Sequence, residues 1–180
     1  MNDLLTPQEK NQLLALVRER ILSRTRKREE KSPDLFGPEC GVFVTLHKQG
    51  RLRGCIGFIT SPQPLSLTVW EAAESAAFKD PRFPPVTADE VDELEIEISV
   101  LTPFEKIEST ESVRIGIDGV YLKLGFQSGL FLPQVATEQG WDRETFLNHL
   151  DQKAGLPVGS HLSEKAELSR FQAVIFSETQ

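Results

Sequence analysis

The sequence predicts an α+β fold in which helices pack on antiparallel sheets. Two segments with strand character, 41–46 and 51–59, are separated by Gln49-Gly50, a pair that favours a tight turn between antiparallel strands. Residues 94–100 alternate apolar and polar side chains, which is typical of a strand with one buried face. Because strands and helices do not follow one another in repeated strand–helix–strand units, an α+β arrangement is favoured over a parallel sheet.

The first helix is predicted to run from about residue 6 to about residue 28. Thr6 can cap its first turn, Pro7 suits the first helical position, and Glu9 completes a capping box. Apolar side chains then recur at helical spacing at Leu13, Leu14, Val17 and Ile21. These features predict an amphipathic helix that covers part of the core.

A second helix is predicted over residues 65–77. Its apolar side chains recur at helical spacing, and most are small: Leu65, Val69, Ala72, Ala73, Ala76 and Ala77. Asp80-Pro81 ends the segment, because a residue that precedes proline disfavours helical geometry. The alanines indicate close packing of this helix on a sheet.

The C-terminal half is predicted to repeat the order of strands followed by a helix. Asp118-Gly119 separates strand-like residues 113–117 from 120–124 and predicts a hairpin, and residues 130–132 predict a further short strand. The last helix is expected to begin after Asp142 and to run through Ala154 to Gly155, and a final strand is expected at 171–176.

Composition favours a globular protein of one domain, or of two small lobes with a shared core. The chain has 180 residues and a net charge of −7, and it has no apolar run of the roughly 18 residues that indicate a membrane span. Its N-terminus lacks the basic start and apolar stretch of a secretory signal. We therefore expect a cytoplasmic protein that does not insert into membranes, with Cys40 and Cys55 as free thiols.

A basic run extends from Arg18 to Lys31, with seven basic and three acidic residues. It could contact phosphate or nucleic acid. The alternative is a solvated helix end followed by a linker, which we prefer because the run lacks interleaved aromatic residues and the whole chain is acidic, with a pI near 5.1.

The main candidate site is the segment Arg53-Gly54-Cys55-Ile56-Gly57, which Arg51 precedes by two positions. On an extended strand, Arg51, Arg53, Cys55 and Gly57 would share one face, so guanidinium groups would lie beside the thiol. Positive charge favours a thiolate, which predicts a nucleophile or an anion-binding site. Gly54 and Gly57 would allow close approach of a ligand. Alternatively, Cys55 is a small core residue and the glycines mark a bulge.

Other residues offer weaker candidates. Cys40 is interpreted as structural because it lies at the entry to an apolar strand and has no charged neighbour on its strand face. His47 could act as a base toward Cys55, and His149 could face the site from the last helix. The three histidines have no metal-ligand spacing, and His161 carries no specific signal, so we expect no metal site and no cofactor.

Four turn-associated residues complete the ligand-binding hypothesis. In the stiff segment 80–85, Arg82 offers an anion contact and Phe83 an apolar anchor, although Phe83 could instead fill the core. Gln134 and Trp141 lie beside later turns, where Trp141 could be a platform for a ligand or a core residue.

Several ordered segments resemble the AMMECR domain family, a widespread group whose biochemical activity is largely unassigned. They are Gly41–Leu46, Leu52–Phe58, Asp80–Val86, Ile98–Pro103, Gly129–Val135 and Glu138–Asp142. The resemblance implies that residues 1–180 form a single domain of two unequal, intimately packed subdomains, with Cys55 in a cleft between them.

The resemblance also implies partners. Microbial members resemble the A component of the AmmeMemoRadiSam set, in which an AMMECR protein is associated with a Memo-like protein and a radical S-adenosylmethionine protein. Many microbial members carry cysteine where this chain has Asp151, which argues against a two-cysteine mechanism here. With only two cysteines, this chain would leave any radical chemistry to the partner.

Three functions remain open from the sequence. The preferred hypothesis is a module of a multi-protein modification system whose Cys55 site binds an anionic small molecule or a peptide. The alternative is a thiol-dependent enzyme in which Cys55 is the nucleophile, Arg53 stabilises the thiolate or an anionic substrate, and Arg51 and Arg82 assist. The third hypothesis is nucleic-acid binding by the basic run.

Overall fold

The computed structural model describes residues 4–29 and 32–178, and it confirms the α+β class. The chain divides into two compact units. Unit 1 comprises the residues up to Leu101 together with those from Val174 onward, and unit 2 is Thr102–Ala173. No helix in the described ranges is both long enough and apolar enough to span a bilayer.

Unit 1 contains a four-stranded sheet in the order β2-β1-β3-β8. Its elements are α1 (Pro7–Thr25), β1 (Val42–Lys48), β2 (Arg51–Phe58), α2 (Leu65–Phe78), β3 (Leu94–Leu101) and β8 (Ala173–Ser177). The strand β1 pairs with β2 on one side and with β3 on the other, both antiparallel, so β2 is an outer strand of the sheet.

The capping box predicted for α1 is confirmed. Thr6 Oγ1 accepts the backbone N–H of Glu9 at 3.2 Å, and the Glu9 carboxylate accepts the backbone N–H of Thr6 at 2.8 Å. The helix ends at Thr25, about one turn earlier than predicted. Its apolar face, which includes Leu13 and Val17, is fully buried in the core of unit 1.

The two faces of the unit 1 sheet differ. Val42, Val44 and Leu46 of β1 are fully buried and contribute to the same core as α1 and α2. Side chains alternate along a strand, so Thr45 projects to the opposite face. Its pairing partner on β2 is Cys55, and the thiol therefore lies on the sheet face away from the helices.

Unit 2 contains a second four-stranded sheet, in the order β4-β7-β5-β6. Its elements are β4 (Glu105–Ile107), β5 (Gly119–Leu124), β6 (Gln127–Phe131), α3 (Pro133–Gln139), α4 (Arg143–Lys153) and β7 (Glu167–Phe171). Asp142 caps α4 by accepting the Thr145 N–H at 2.8 Å, as predicted. Val120 and Leu122 pack with Phe146 and Leu150 in a separate core.

The hairpin predicted at Asp118-Gly119 is wrong. Asp118 is buried, and its carboxylate accepts the backbone N–H and the Nε–H of Arg114, both at 3.0 Å, and an Nη2–H at 2.8 Å. These hydrogen bonds close a turn, so residues 113–117 do not form a strand. The actual hairpin joins β5 to β6 at Gly125 and Phe126.

The final strand predicted at 171–176 is confirmed as β8, but it begins at Ala173, because the chain changes sheets at Gln172. Residues before Gln172 belong to β7 of unit 2, whereas those after it belong to β8 in the sheet of unit 1. The backbone N–H of Thr102 donates to the carbonyl of Gln172 at 2.8 Å, and the backbone N–H of Gln172 donates to the Thr102 hydroxyl at 2.8 Å. An apolar pattern predicts a strand but does not identify its sheet.

Candidate functional site

A β-bulge interrupts β2 at Arg53. The register places Leu46 opposite Gly54 but His47 opposite Leu52, so Arg53 is an additional residue without a partner on β1. The prediction that Arg51, Arg53 and Cys55 share one face is therefore wrong. Beyond the bulge, the alternation of side chains is reversed, and the exposed Arg51 pairs with Lys48.

Arg53 binds Glu90 with two parallel hydrogen bonds. Its Nε and Nη2 donate to Oε1 and Oε2 at 3.0 and 2.9 Å. These bonds from Arg53 are the largest cause that lowers the Glu90 pKa, to about 2, and Lys48 contributes to the same effect. The structure therefore places the Arg53 guanidinium in an ion pair, where the sequence had predicted a cation beside the thiol.

Cys55 has three defined neighbours. Its half-buried thiol accepts a hydrogen bond from Thr45 Oγ1 at 3.3 Å. Its backbone N–H donates to Asp80 Oδ2 at 2.9 Å, and its backbone carbonyl accepts from Arg82 Nη2 at 3.1 Å. The backbone N–H and carbonyl of Cys55 thus bind the side chains of Asp80 and Arg82, which belong to the segment that follows α2.

Asp80 positions Arg82. The buried carboxylate of Asp80 accepts the backbone N–H of Arg82 at 3.1 Å, Nε–H at 2.9 Å and Nη2–H at 2.7 Å. These bonds hold the pKa of Asp80 well below its usual range. The same bonds raise the pKa of Arg82. The negative charge of a Cys55 thiolate acts on the pKa of Arg82 in the same direction. The half-buried ring of Phe83 lies 5.5 Å from the Arg82 guanidinium carbon.

The two glycines of the motif pack against the protein's own atoms. A Cβ on Gly54 would lie 2.2 Å from the carbonyl oxygen of Ala76 on α2. A Cβ on Gly57 would lie 2.2 Å from the carbonyl oxygen of Val42 and 2.6 Å from the Phe43 ring. The absence of a side chain therefore allows close helix–sheet and strand–strand packing, so a ligand at Cys55 must approach from another direction.

Gln134, Trp141 and His149 belong to unit 2, not to the unit that contains Cys55. The rings of Trp141 and His149 are stacked, with centroids 4.1 Å apart and planes at 12°. Trp141 also lies 5.8 Å from Phe131 at the edge of the unit 2 core. The side-chain oxygen of Gln134 is buried and has no hydrogen-bond partner within the described ranges.

The remaining candidates have other environments. Cys40 is buried, and burial raises the pKa of its thiol to about 11. His47 lies at the bulge of the β1–β2 pair. His161 is buried and its Nδ1 lies 2.7 Å from Asp151. Among the residues that the structure describes, no group of three or more His, Cys, Asp or Glu side chains is placed to hold a metal ion.

The basic run is largely neutralised where it is described. Arg18 binds Glu178, Arg20 and Arg24 both bind Glu74, and Arg26 binds Asp92. Residues 30 and 31 of the run, which include Lys31, lie outside the described ranges. These ion pairs reduce the positive charge that the run offers to a phosphate backbone.

Sequence reasoning missed three residues around Cys55, namely Thr45, Asp80 and Glu90. Thr45 becomes a neighbour only through the strand register, and Glu90 is far from Arg53 in the chain. Asp80 carried a local signal, because an acidic residue two positions before an arginine can form an ion pair across a turn. Sequence reasoning also missed the buried pair formed by Asp151 and His161.

The chain is similar to a known family of proteins. A family model described as AMMECR1 matches residues 14–176. A protein of Methanothermobacter thermautotrophicus is 46% identical over 162 residues, which are 87% of this chain and 84% of that protein. Protein MJ0810 of Methanocaldococcus jannaschii is 47% identical over 159 residues, covering 84% of this chain and 79% of the relative.

A solved structure is also similar. The crystal structure of the uncharacterized protein PH0010 from Pyrococcus horikoshii superposes with a TM-score of 0.83 and 41% sequence identity. The match covers 92% of this chain and 89% of that chain. Similarity at this level extends through both units, because less than a tenth of the chain lies outside it.

Proposed function

Because this chain belongs to the AMMECR1 family, we propose that it is a cytoplasmic binding module of a multi-protein modification system, with a site centred on Cys55 for an anionic ligand or a peptide. The observation that carries this proposal is the position of Arg82, whose guanidinium is bound to the backbone of Cys55. Memo-like and radical S-adenosylmethionine proteins are the proposed partners. Two free thiols are compatible with a reducing compartment.

Arg82 supports anion binding because only part of its guanidinium is used within the chain. Nε and Nη2 are held by Asp80 and Cys55, whereas Nη1 has no hydrogen-bond partner in the part of the chain that the structure describes. The side chain is 53% exposed. A fixed guanidinium with one outward nitrogen is suited to a carboxylate or a phosphate oxygen. The nearby Phe83 ring provides apolar contact for a peptide side chain.

The direct test measures binding of a purified Memo-like protein by isothermal titration calorimetry. We expect the wild-type chain to bind, and the double variant Arg82→Ala, Phe83→Ala to bind at least about tenfold more weakly, a loss of roughly 1.4 kcal/mol. Lys123→Ala is the matched control, because Lys123 is an exposed basic residue of unit 2. Equal affinity of the double variant and the control would rule out the Arg82 surface as the interface.

The second candidate function, thiol chemistry at Cys55, is favoured by one observation. Thr45 Oγ1 donates a hydrogen bond to the sulfur at 3.3 Å, and a donor at this position stabilises a thiolate. The thiolate attacks an electrophilic carbon of the substrate, its lone pair forms the new S–C bond, and the leaving group departs with the electrons of the broken bond.

Iodoacetamide labelling tests this candidate without a known substrate. In the folded protein we expect Cys55 to be labelled at neutral pH and the buried Cys40 to be labelled only after denaturation. Thr45→Val keeps the side-chain shape and removes the donor, so it should slow labelling of Cys55 severalfold. Thr60→Val, a change of an exposed threonine elsewhere, is the control. If Cys55 resists labelling in the folded protein, a nucleophilic role is excluded.

A further inference from the structure

Asp151 and His161 form a buried pair in unit 2. Asp151 lies on α4 and is fully buried, and its carboxylate accepts the backbone N–H groups of Gly159 and His161 at 2.8 and 2.9 Å. It also lies 2.7 Å from Nδ1 of the His161 ring. A buried carboxylate requires such hydrogen bonds to offset the loss of hydration. The pair therefore holds the His161 ring in one orientation.

The hydrogen bonds determine which ring nitrogen carries the proton. A carboxylate accepts hydrogen bonds and does not donate them, so Nδ1 of His161 is the donor and Nε2 has the free lone pair. Within the described residues Nε2 forms no hydrogen bond, yet it is not among the buried atoms that lack a partner. Nε2 therefore retains a small contact with the exterior, on a side chain that is 5% exposed.

The accessible side of His161 borders a groove of about 340 Å³ at the start of α4. Three of the residues that line it are charged, namely Glu111, Arg143 and Glu144. Arg143 donates an Nη1–H to the backbone carbonyl of Glu111 at 2.6 Å, which fixes its guanidinium. With Asp151 beneath the imidazole, three carboxylates outweigh one guanidinium, and the groove favours a cation that carries hydrogen-bond donors.

We propose that this groove binds a primary ammonium group, which donates a hydrogen bond to Nε2 of His161. Asp151 holds the imidazole in place for this contact through the hydrogen bond from Nδ1. The site involves only residues of unit 2 and does not depend on the function of Cys55.

The proposal can be tested on the full chain by NMR. In long-range ¹H–¹⁵N spectra of wild-type protein at slightly alkaline pH, we expect Nδ1 of His161 to be protonated and Nε2 to be unprotonated. Addition of n-butylammonium should shift the Nε2 signal saturably. Tetramethylammonium has the same charge and no N–H donor, so it should leave that signal in place.

Two variants separate a ligand site from a purely structural pair. His161→Asn retains an N–H donor toward Asp151 and lacks Nε2, so it should keep the folded spectrum and weaken n-butylammonium binding about tenfold or more. Glu111→Gln with Glu144→Gln removes the groove carboxylates and should weaken binding severalfold. A protonated Nε2, the absence of a saturable shift in the wild type, or equal shifts with tetramethylammonium would each overturn the proposal.

Discussion

The carboxylate of Asp80 accepts the backbone N–H of Cys55 at 2.9 Å and also holds Arg82, which donates to the carbonyl of Cys55 at 3.1 Å. Both outward main-chain groups of Cys55 are therefore bonded to side chains that are bonded to each other. The arrangement fixes the Arg82 guanidinium on the backbone of Cys55. The contribution of these hydrogen bonds to the free energy of unfolding can be measured without an activity assay.

Asp80→Asn should lower the free energy of unfolding by about 1–3 kcal/mol, because it removes the charge that pairs with Arg82 and places an amide near donors. Urea unfolding followed by circular dichroism measures this change. Asp89→Asn is the control, since Asp89 is exposed. Equal unfolding free energies for the two variants would mean that the Asp80 hydrogen bonds do not contribute to stability.

The Arg53–Glu90 pair should make stability depend on pH. Folding lowers the Glu90 pKa from its ordinary 4.5 to about 2, so the stabilisation is fully present above pH 4.5 and is lost as pH falls toward 2. Above pH 5, Glu90→Gln should reduce the free energy of unfolding by about 1–3 kcal/mol relative to wild type, and the difference should shrink at lower pH. Urea titrations at several pH values measure it. A difference that does not vary with pH would contradict the ion-pair explanation.

Gly54→Ala should be strongly destabilising, because the new Cβ would meet the Ala76 carbonyl oxygen, which belongs to the backbone of α2 and has little freedom to move. We expect a loss of about 2–4 kcal/mol in unfolding free energy. Gly50→Ala is the comparison: its Cβ meets nothing within 4 Å, and only the positive φ of 71° adds strain, about 1 kcal/mol. A smaller loss at Gly54 than at Gly50 would refute close helix–sheet packing at this position.

The stacked rings of Trp141 and His149 should contribute measurably to stability. His149→Ala removes the stack and is expected to reduce the free energy of unfolding by about 0.5–1.5 kcal/mol. His149→Phe retains an aromatic ring and should recover most of that loss. Thermal unfolding of the three proteins tests the expectation, which fails if the phenylalanine variant is no more stable than the alanine variant.

Local patterns predicted the elements that depend on nearby residues. The capping box at Thr6 and Glu9, the turn after Lys48 and the cap at Asp142 each involve residues within a few positions of one another. The errors have a common physical origin in contacts or pairings that the local pattern does not contain. Asp118 accepts hydrogen bonds from Arg114 and closes a turn where a hairpin was expected. At Gln172 the chain passes from one sheet to the other within a single apolar segment.

The candidate site was predictable only in part. Arg82 was named from the chemistry of its proline-rich segment, and the structure places it on the backbone of Cys55. The bulge at Arg53 depends on the β1–β2 register, and the Arg53–Glu90 pair brings together residues that are 37 positions apart. Neither has a signature in the residues next to the motif. The pair of Asp151 and His161 was missed because it joins a helix to a loop beyond it.

The strand β8 has a consequence for biosynthesis. It is the last strand within the described residues, yet it completes the sheet of unit 1, whose other strands lie before Thr102. The ribosome therefore releases all of unit 2 before it releases the strand that finishes unit 1. The edge of β3 therefore lacks its neighbour until residues 173–177 have been synthesised. A premature stop after Ala173 would retain all of unit 2 and leave the unit that carries Cys55 without most of β8.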